Sequence, residues 1–169
     1  MITHSGNVSR LLQRCIMGNY FGVYVNGGNT TFNKYYYFGA QRVAAKIANT
    51  LYYFQGDHLG SSSLVMTSAG TSFYSRQTYF PYGAQRTTEG NTLPTDYTFT
   101  GQKSDPSTGS GQDPGLMFYG ARYYDVTLGR FTQPDTIVPN PLNPQSLNRF
   151  SYTLNNPVRY IDPSGHVPV

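Results

Sequence analysis

Apolar and polar residues alternate along this chain in short runs, rich in aromatic rings and broken by glycine and proline. The densest run is Leu116 to Gly129, where Phe118, Tyr119, Tyr123 and Tyr124 are interrupted by Gly120 and closed by Gly129. The pattern predicts strand, turn, strand, with Gly120 at a bulge or close backbone approach because no side chain stands in the way. Similar runs predict strands at Tyr20 to Val25, Phe32 to Phe38 with Val43 to Ile47 continuing it, and Leu51 to Phe54. Further strands are expected at Ser61 to Thr67, Thr71 to Phe80, Tyr97 to Thr100, Phe150 to Thr153 and Val158 to Ile161. Turn formers separate them at residues 26–29, 56–60, 68–70 and 155–157.

Helical periodicity is scarce. Val8, Leu11, Leu12, Cys15 and Ile16 fall on one side of a short amphipathic helix over 8–17, and a single helical turn is expected at 145–148. Ser104 to Gly115 reads as a turn-rich surface loop. Pro139, Pro141 and Pro144 exclude helix and central strand from their segment, which is expected to be an extended wrap.

One phrase recurs. Phe38-Gly39-Ala40-Gln41-Arg42 returns as Tyr82-Gly83-Ala84-Gln85-Arg86 and, shortened, as Tyr119-Gly120-Ala121-Arg122. Self-similarity at supersecondary spacing implies stacked hairpins, each too small to bury its own apolar face. In each copy the ring packs on a neighbouring strand, the glycine permits a bend, and the arginine stacks on a ring or meets a carboxylate.

Composition agrees with an all-β chain: 16 Tyr, 10 Phe, 18 Gly and 11 Pro occur without any Trp. At 169 residues the chain is one domain or a fragment of a larger assembly. Only 12% of residues are charged, against about 25% in typical domains. The net charge of +4 is spread without a basic run, which argues against a nucleic-acid groove. Cys15, being alone, excludes an intramolecular disulfide and a cysteine zinc site, and His4, His58 and His166 lack ligand spacing, so no metal is expected. No phosphate-binding loop or other cofactor motif is present. Arg10 and Arg14 interrupt the one apolar stretch near the start, leaving neither a signal-peptide core nor a membrane span.

Read in order, a set of short motifs resembles a known family. They are Gly56-Asp57-His58-Leu59-Gly60-Ser61, Tyr79-Phe80-Pro81-Tyr82-Gly83, Phe99-Thr100-Gly101-Gln102, Tyr119-Gly120-Ala121-Arg122-Tyr123-Tyr124-Asp125 and Leu128-Gly129-Arg130-Phe131, followed by Pro134-Asp135, Asn155-Asn156-Pro157 and Asp162-Pro163-Ser164-Gly165. The chain resembles the RHS, or YD-repeat, proteins and in particular their RHS-associated core domain. The resemblance implies consecutive antiparallel hairpins of a spiralling sheet, here a partial shell. It divides the chain into an N-terminal segment outside the pattern (1–28), the core domain (29–166) and a tail (167–169). It further implies a shell that houses a C-terminal toxin, an extracellular or cell-surface location, and other YD-repeat hairpins or copies of the chain as partners through strand edges.

Some members of this family are aspartyl self-proteases, which implies Asp135 and Asp162 as the catalytic carboxylates and Arg130 as the group that orients a carboxylate or the scissile carbonyl. Such chemistry needs two carboxylates close enough to share a proton. The first family motif, Asp-Pro-x-Gly, is here Asp135-Thr136-Ile137-Val138, and the leucine after the second is His166. These departures favour a truncated structural and encapsulating module over an enzyme, since cleavage after His166 would free only Val167, Pro168 and Val169. A self-assembling or carbohydrate-binding tyrosine-rich β-protein is the alternative. The remaining motif residues, Asp57, His58, Gly60, Asn156, Pro163 and Gly165, are expected to shape turns.

Overall fold

The computed structural model describes residues 20–26, 29–69, 72–105, 115–138 and 140–169; the helix expected over 8–17 lies outside them. Seven strands form an antiparallel meander in which each pairs with the next: β1 (Phe21–Asn26), β2 (Asn29–Phe38), β3 (Gln41–Ile47), β4 (Thr50–Gly56), β5 (Ser62–Thr67), β6 (Phe73–Tyr79) and β7 (Gln85–Gly90). Alternation along these strands sends Tyr35, Ala45, Phe54 and Val65 to one face, where Tyr37, Ile47, Tyr52, Tyr74, Leu93 and Tyr97 pack against them. The opposite face keeps Phe32, Tyr36 and Tyr53 about half exposed. The sheet stays open, with β1 and β7 at its edges.

The recurring phrase marks hairpin turns. Gly39 (φ +61°), Gly83 (φ +92°) and Gly120 (φ +83°) all adopt the left-handed conformation at a chain reversal. This corrects the expectation that Val43 to Ile47 continues the strand before it. The chain folds back at Gly39 and Ala40, and β3 pairs with β2 so that Tyr35 faces Ala45.

A second, four-stranded antiparallel sheet has the order β11-β10-β9-β8. Its strands are β8 (Lys103–Asp105), β9 (Leu116–Phe118), β10 (Tyr123–Asp125) and β11 (Arg130–Phe131). They carry a separate core of Phe99, Met117, Tyr119, Tyr124, Val126, Phe131 and Tyr152. The rings meet mostly edge-on or tilted, as their quadrupoles favour, with Tyr124 and Tyr152 centroids 4.6 Å apart. The hydroxyl of Tyr119, unable to reach water, bonds Thr100 Oγ1 at 2.8 Å and Tyr152 Oη at 3.3 Å.

Four further expectations are corrected, the first being Val158 to Ile161, which is a turn followed by irregular chain and no strand. Tyr97 makes only a single bridge to Lys103, and Phe99–Gly101 closes into a 3-10 turn whose Phe99 ring occupies the space Gly83 leaves; a Cβ on Gly83 would stand 2.5 Å from it. Ser104 belongs to β8 and not to a surface loop. Phe150 to Thr153 is no strand: Ser151 bridges Arg130, and Thr153, Leu154 and Asn155 turn left-handed at φ 47°, 53° and 60°. The turn expected at 145–148 is the 3-10 turn Pro144–Leu147, begun by Asn143, whose side chain accepts from Gln145 N.

Candidate functional site

The chain after β11 wraps back across the turn between β9 and β10, and the contact centres on Arg122. This guanidinium lies flat on a core ring, its carbon 3.6 Å from the Phe131 centroid. Its Nη2 lies 2.9 Å from Asp135 Oδ2 and 3.5 Å from Asp162 Oδ2. Its Nη1 donates to the carbonyl of Arg149 at 2.9 Å, and its Nε donates to that of Gly165. Arg122, Asp135 and Asp162 are only 5%, 4% and 2% exposed, so one guanidinium faces two carboxylates almost wholly out of water. Burial pushes the Arg122 guanidinium below its ordinary pKa, and the two aspartates oppose that shift.

Local chemistry fixes each carboxylate. Asp135 Oδ1 accepts from Ile137 N at 2.9 Å and meets His166 Nδ1 at 2.7 Å, while its main chain is held between the N–H of Asp135 and Arg149 O at 2.8 Å and between Arg149 Nε and Asp135 O at 2.5 Å. Asp162 Oδ1 accepts from Gly165 N at 2.8 Å and His166 N at 3.0 Å, closing the Asp-Pro-Ser-Gly turn. That turn sits directly on the β9–β10 turn, with Ala121 N donating to Ser164 O at 3.2 Å. Gly165, at φ +78°, leaves no room for a side chain: a Cβ there would stand 2.6 Å from Tyr119 O.

Asp162 thus spends Oδ1 on two backbone amides and Asp135 spends it on one amide and the His166 imidazole, while both offer Oδ2 to one guanidinium nitrogen. Both Oδ2 atoms converge on the same Arg122 nitrogen, and the guanidinium joins three segments of chain. A cavity of about 30 Å³ adjoins the cluster, lined among others by Asp135, Asp162, His166 and Thr153. It has room for about one water. Thr153 Oγ1 is buried without a hydrogen-bond partner among the described residues.

The other sequence-predicted positions lie elsewhere. Arg130 is exposed, its guanidinium carbon 4.9 Å from the Phe150 centroid, and is not brought to the aspartates. Asp57 Oδ1 accepts from Leu59 N and Ser61 N at 2.9 and 2.8 Å, around Gly60, and His58 Nε2 lies 3.1 Å from Val158 O. Tyr123 pairs with Phe118 at 5.3 Å, Tyr124 donates to Tyr82 O at 2.8 Å, and Gly129 lies against the Tyr82 ring. Asn156 N closes on Thr153 O at 3.0 Å, and Pro163 O accepts from Gln102 Nε2 at 3.3 Å.

The sequence places Arg122 in the repeated phrase and in a structural motif of the family, not among the catalytic candidates, and does not single out Arg149. The usable signal was the phrase itself. The first two copies read Gly-Ala-Gln-Arg and the third Gly-Ala-Arg, so Arg122 comes one position earlier than its counterparts. Arg42 lies on the Tyr97 ring at 3.7 Å, whereas Arg122 reaches carboxylates as well as a ring. Nothing local marks Arg149, which only the returning wrap brings to the cluster.

No protein-family model matches the chain. Among curated proteins it is 35% identical over 115 residues to salivary gland surface protein 1 of Aedes aegypti, matching 67% of this chain and 3% of that protein. It is 30% identical over 131 residues to toxin subunit YenC1 of Yersinia entomophaga, matching 73% of this chain and 12% of that protein. The chain therefore spans a small fraction of either relative. The solved TcdB2-TccC3-Cdc42 structure superposes with a TM-score of 0.69 at 23% identity, over 86% of this chain and 7% of that one. The TcdB2-TccC3 structure without its hypervariable C-terminal region gives 0.65 at 25% identity, over 86% and 7%. The Tc holotoxin pore of Photorhabdus luminescens gives 0.69 at 24% identity, over 88% and 7%.

Proposed function

We propose that this chain, an RHS/YD-repeat protein by its motifs and by its fold, is a wall-and-cap module of an encapsulating protein shell, with the Arg122 cluster as the clasp that fastens the cap. The seven-stranded sheet supplies wall, open at both edges for further hairpins. The second core and the returning wrap supply the cap. One observation carries the reading: Asp135 and Asp162 meet on a single nitrogen of Arg122 with their remaining oxygens already occupied. That arrangement fits holding chain segments together better than activating water.

Aspartyl self-cleavage is the second reading. It is favoured by the approach of both carboxylates to a one-water cavity that His166 and Pro168 also line. Intact-mass measurement separates the two. Under the clasp reading, wild type, Asp135→Asn and Asp162→Asn all keep the full mass, and both variants unfold at lower urea concentration. A wild-type chain shortened near His166, with full length restored by either substitution, would establish the protease instead.

A further inference from the structure

The face of the first sheet turned away from its core carries an arrangement that neither wall nor clasp requires. Lys34 on β2 stands directly opposite Lys46 on β3 in the antiparallel register. Like charges so placed destabilise a strand pair, and among the described residues neither lysine has a carboxylate at ion-pair distance. One step along the same face, Tyr36, Ala44 and Tyr53 line up across β2, β3 and β4. Ala44, 7% exposed, forms the floor of a slot between two tyrosines that are 45% and 48% exposed. A groove of about 630 Å³ contains this slot, with Lys46 on its wall. A second groove of the same volume, lined by Phe32 and both lysines, adjoins it.

We infer that this face binds an extended acidic segment of a partner polypeptide bearing an aromatic side chain two residues from a carboxylate. The charge follows from the paired lysines, whose repulsion an incoming carboxylate relieves. The ring follows from the slot, whose walls lie on strands two apart, about 10 Å from each other, which admits one planar group between two tyrosines. The spacing points to a polypeptide. Lys34 and Tyr36 are two residues apart on one strand, about 7 Å, and an extended chain laid along β2 places alternate side chains at that interval.

The probe is a synthetic peptide in which each glutamate stands two residues from a tryptophan, with serine between them, so that both fall on one face of the extended chain. The protein contains no Trp, so tryptophan emission reports the peptide alone. The full chain is expected to give a saturable blue shift that weakens with added salt. The Lys34→Gln, Lys46→Gln double variant, with unchanged circular dichroism at these exposed positions, is expected to bind about tenfold more weakly. Tyr36→Ser with Tyr53→Ser is expected to abolish the blue shift. Equal binding by the lysine variant would overturn the proposal. So would equal binding of the same peptide with lysine in place of glutamate, or binding of heparin by a chain that ignores the acidic peptide.

Discussion

Removing the guanidinium of Arg122 would strand two carboxylates that are almost wholly out of water. Arg122→Met is therefore expected to destabilise the fold by about 3–5 kcal/mol, read as a lower urea midpoint at unchanged slope. Arg122→Lys keeps the charge, but a single ammonium cannot serve the carbonyls of Gly165 and Arg149 and both aspartates from one planar fork. It should recover only part of the loss. Gly165→Ala tests the docking of the two turns rather than their charges, since the added methyl meets Tyr119 O. A cost of at least about 1 kcal/mol is expected from the left-handed backbone alone, and more from the clash.

At the level of elements, the turns repay closer attention than the strands. Ala48 and Asn49 join β3 to β4 with φ of 46° and 73°, the type of tight hairpin that needs two left-handed residues. Asparagine tolerates this and alanine does not, so Ala48→Gly is expected to stabilise the chain by about 0.5–1 kcal/mol, visible as a higher melting temperature. Much of this architecture was legible in the sequence. Alternating rings and punctuating glycines give the strands from β4 through β6 and the β9–β10 hairpin, because period-two burial is a local property. The reversal at Gly39 was missed because Val43 to Ile47 is as strand-like as Phe32 to Phe38, and only pairing distinguishes a continued strand from a returning one. The segments around Phe99 and Phe150 were misread as strands because their rings fill a core that other segments complete. The two aspartates were picked out by motif, but the arginine they share depends on a fold-back that no local pattern encodes.

Taken whole, the molecule has two aromatic cores, and the second one makes its stability sensitive to alkali. Burial raises the pKa of Tyr119, Tyr124, Tyr79 and Tyr152 above the ordinary 10.0, so the folded state holds their protons after an unfolded chain has begun to release them. Their contribution to stability is complete below that value and declines as pH rises past it. Tyrosinate absorbance should show these four silent until a cooperative transition exposes them together. The wrap has a consequence in time as well as in space. All seven strands of the first sheet pair with their immediate neighbours, so this sheet can assemble while the chain is still emerging from the ribosome. Arg122, by contrast, waits 43 residues for Gly165. A messenger cut short before the codon for Asp162 would therefore yield a nascent wall with its closure still undone.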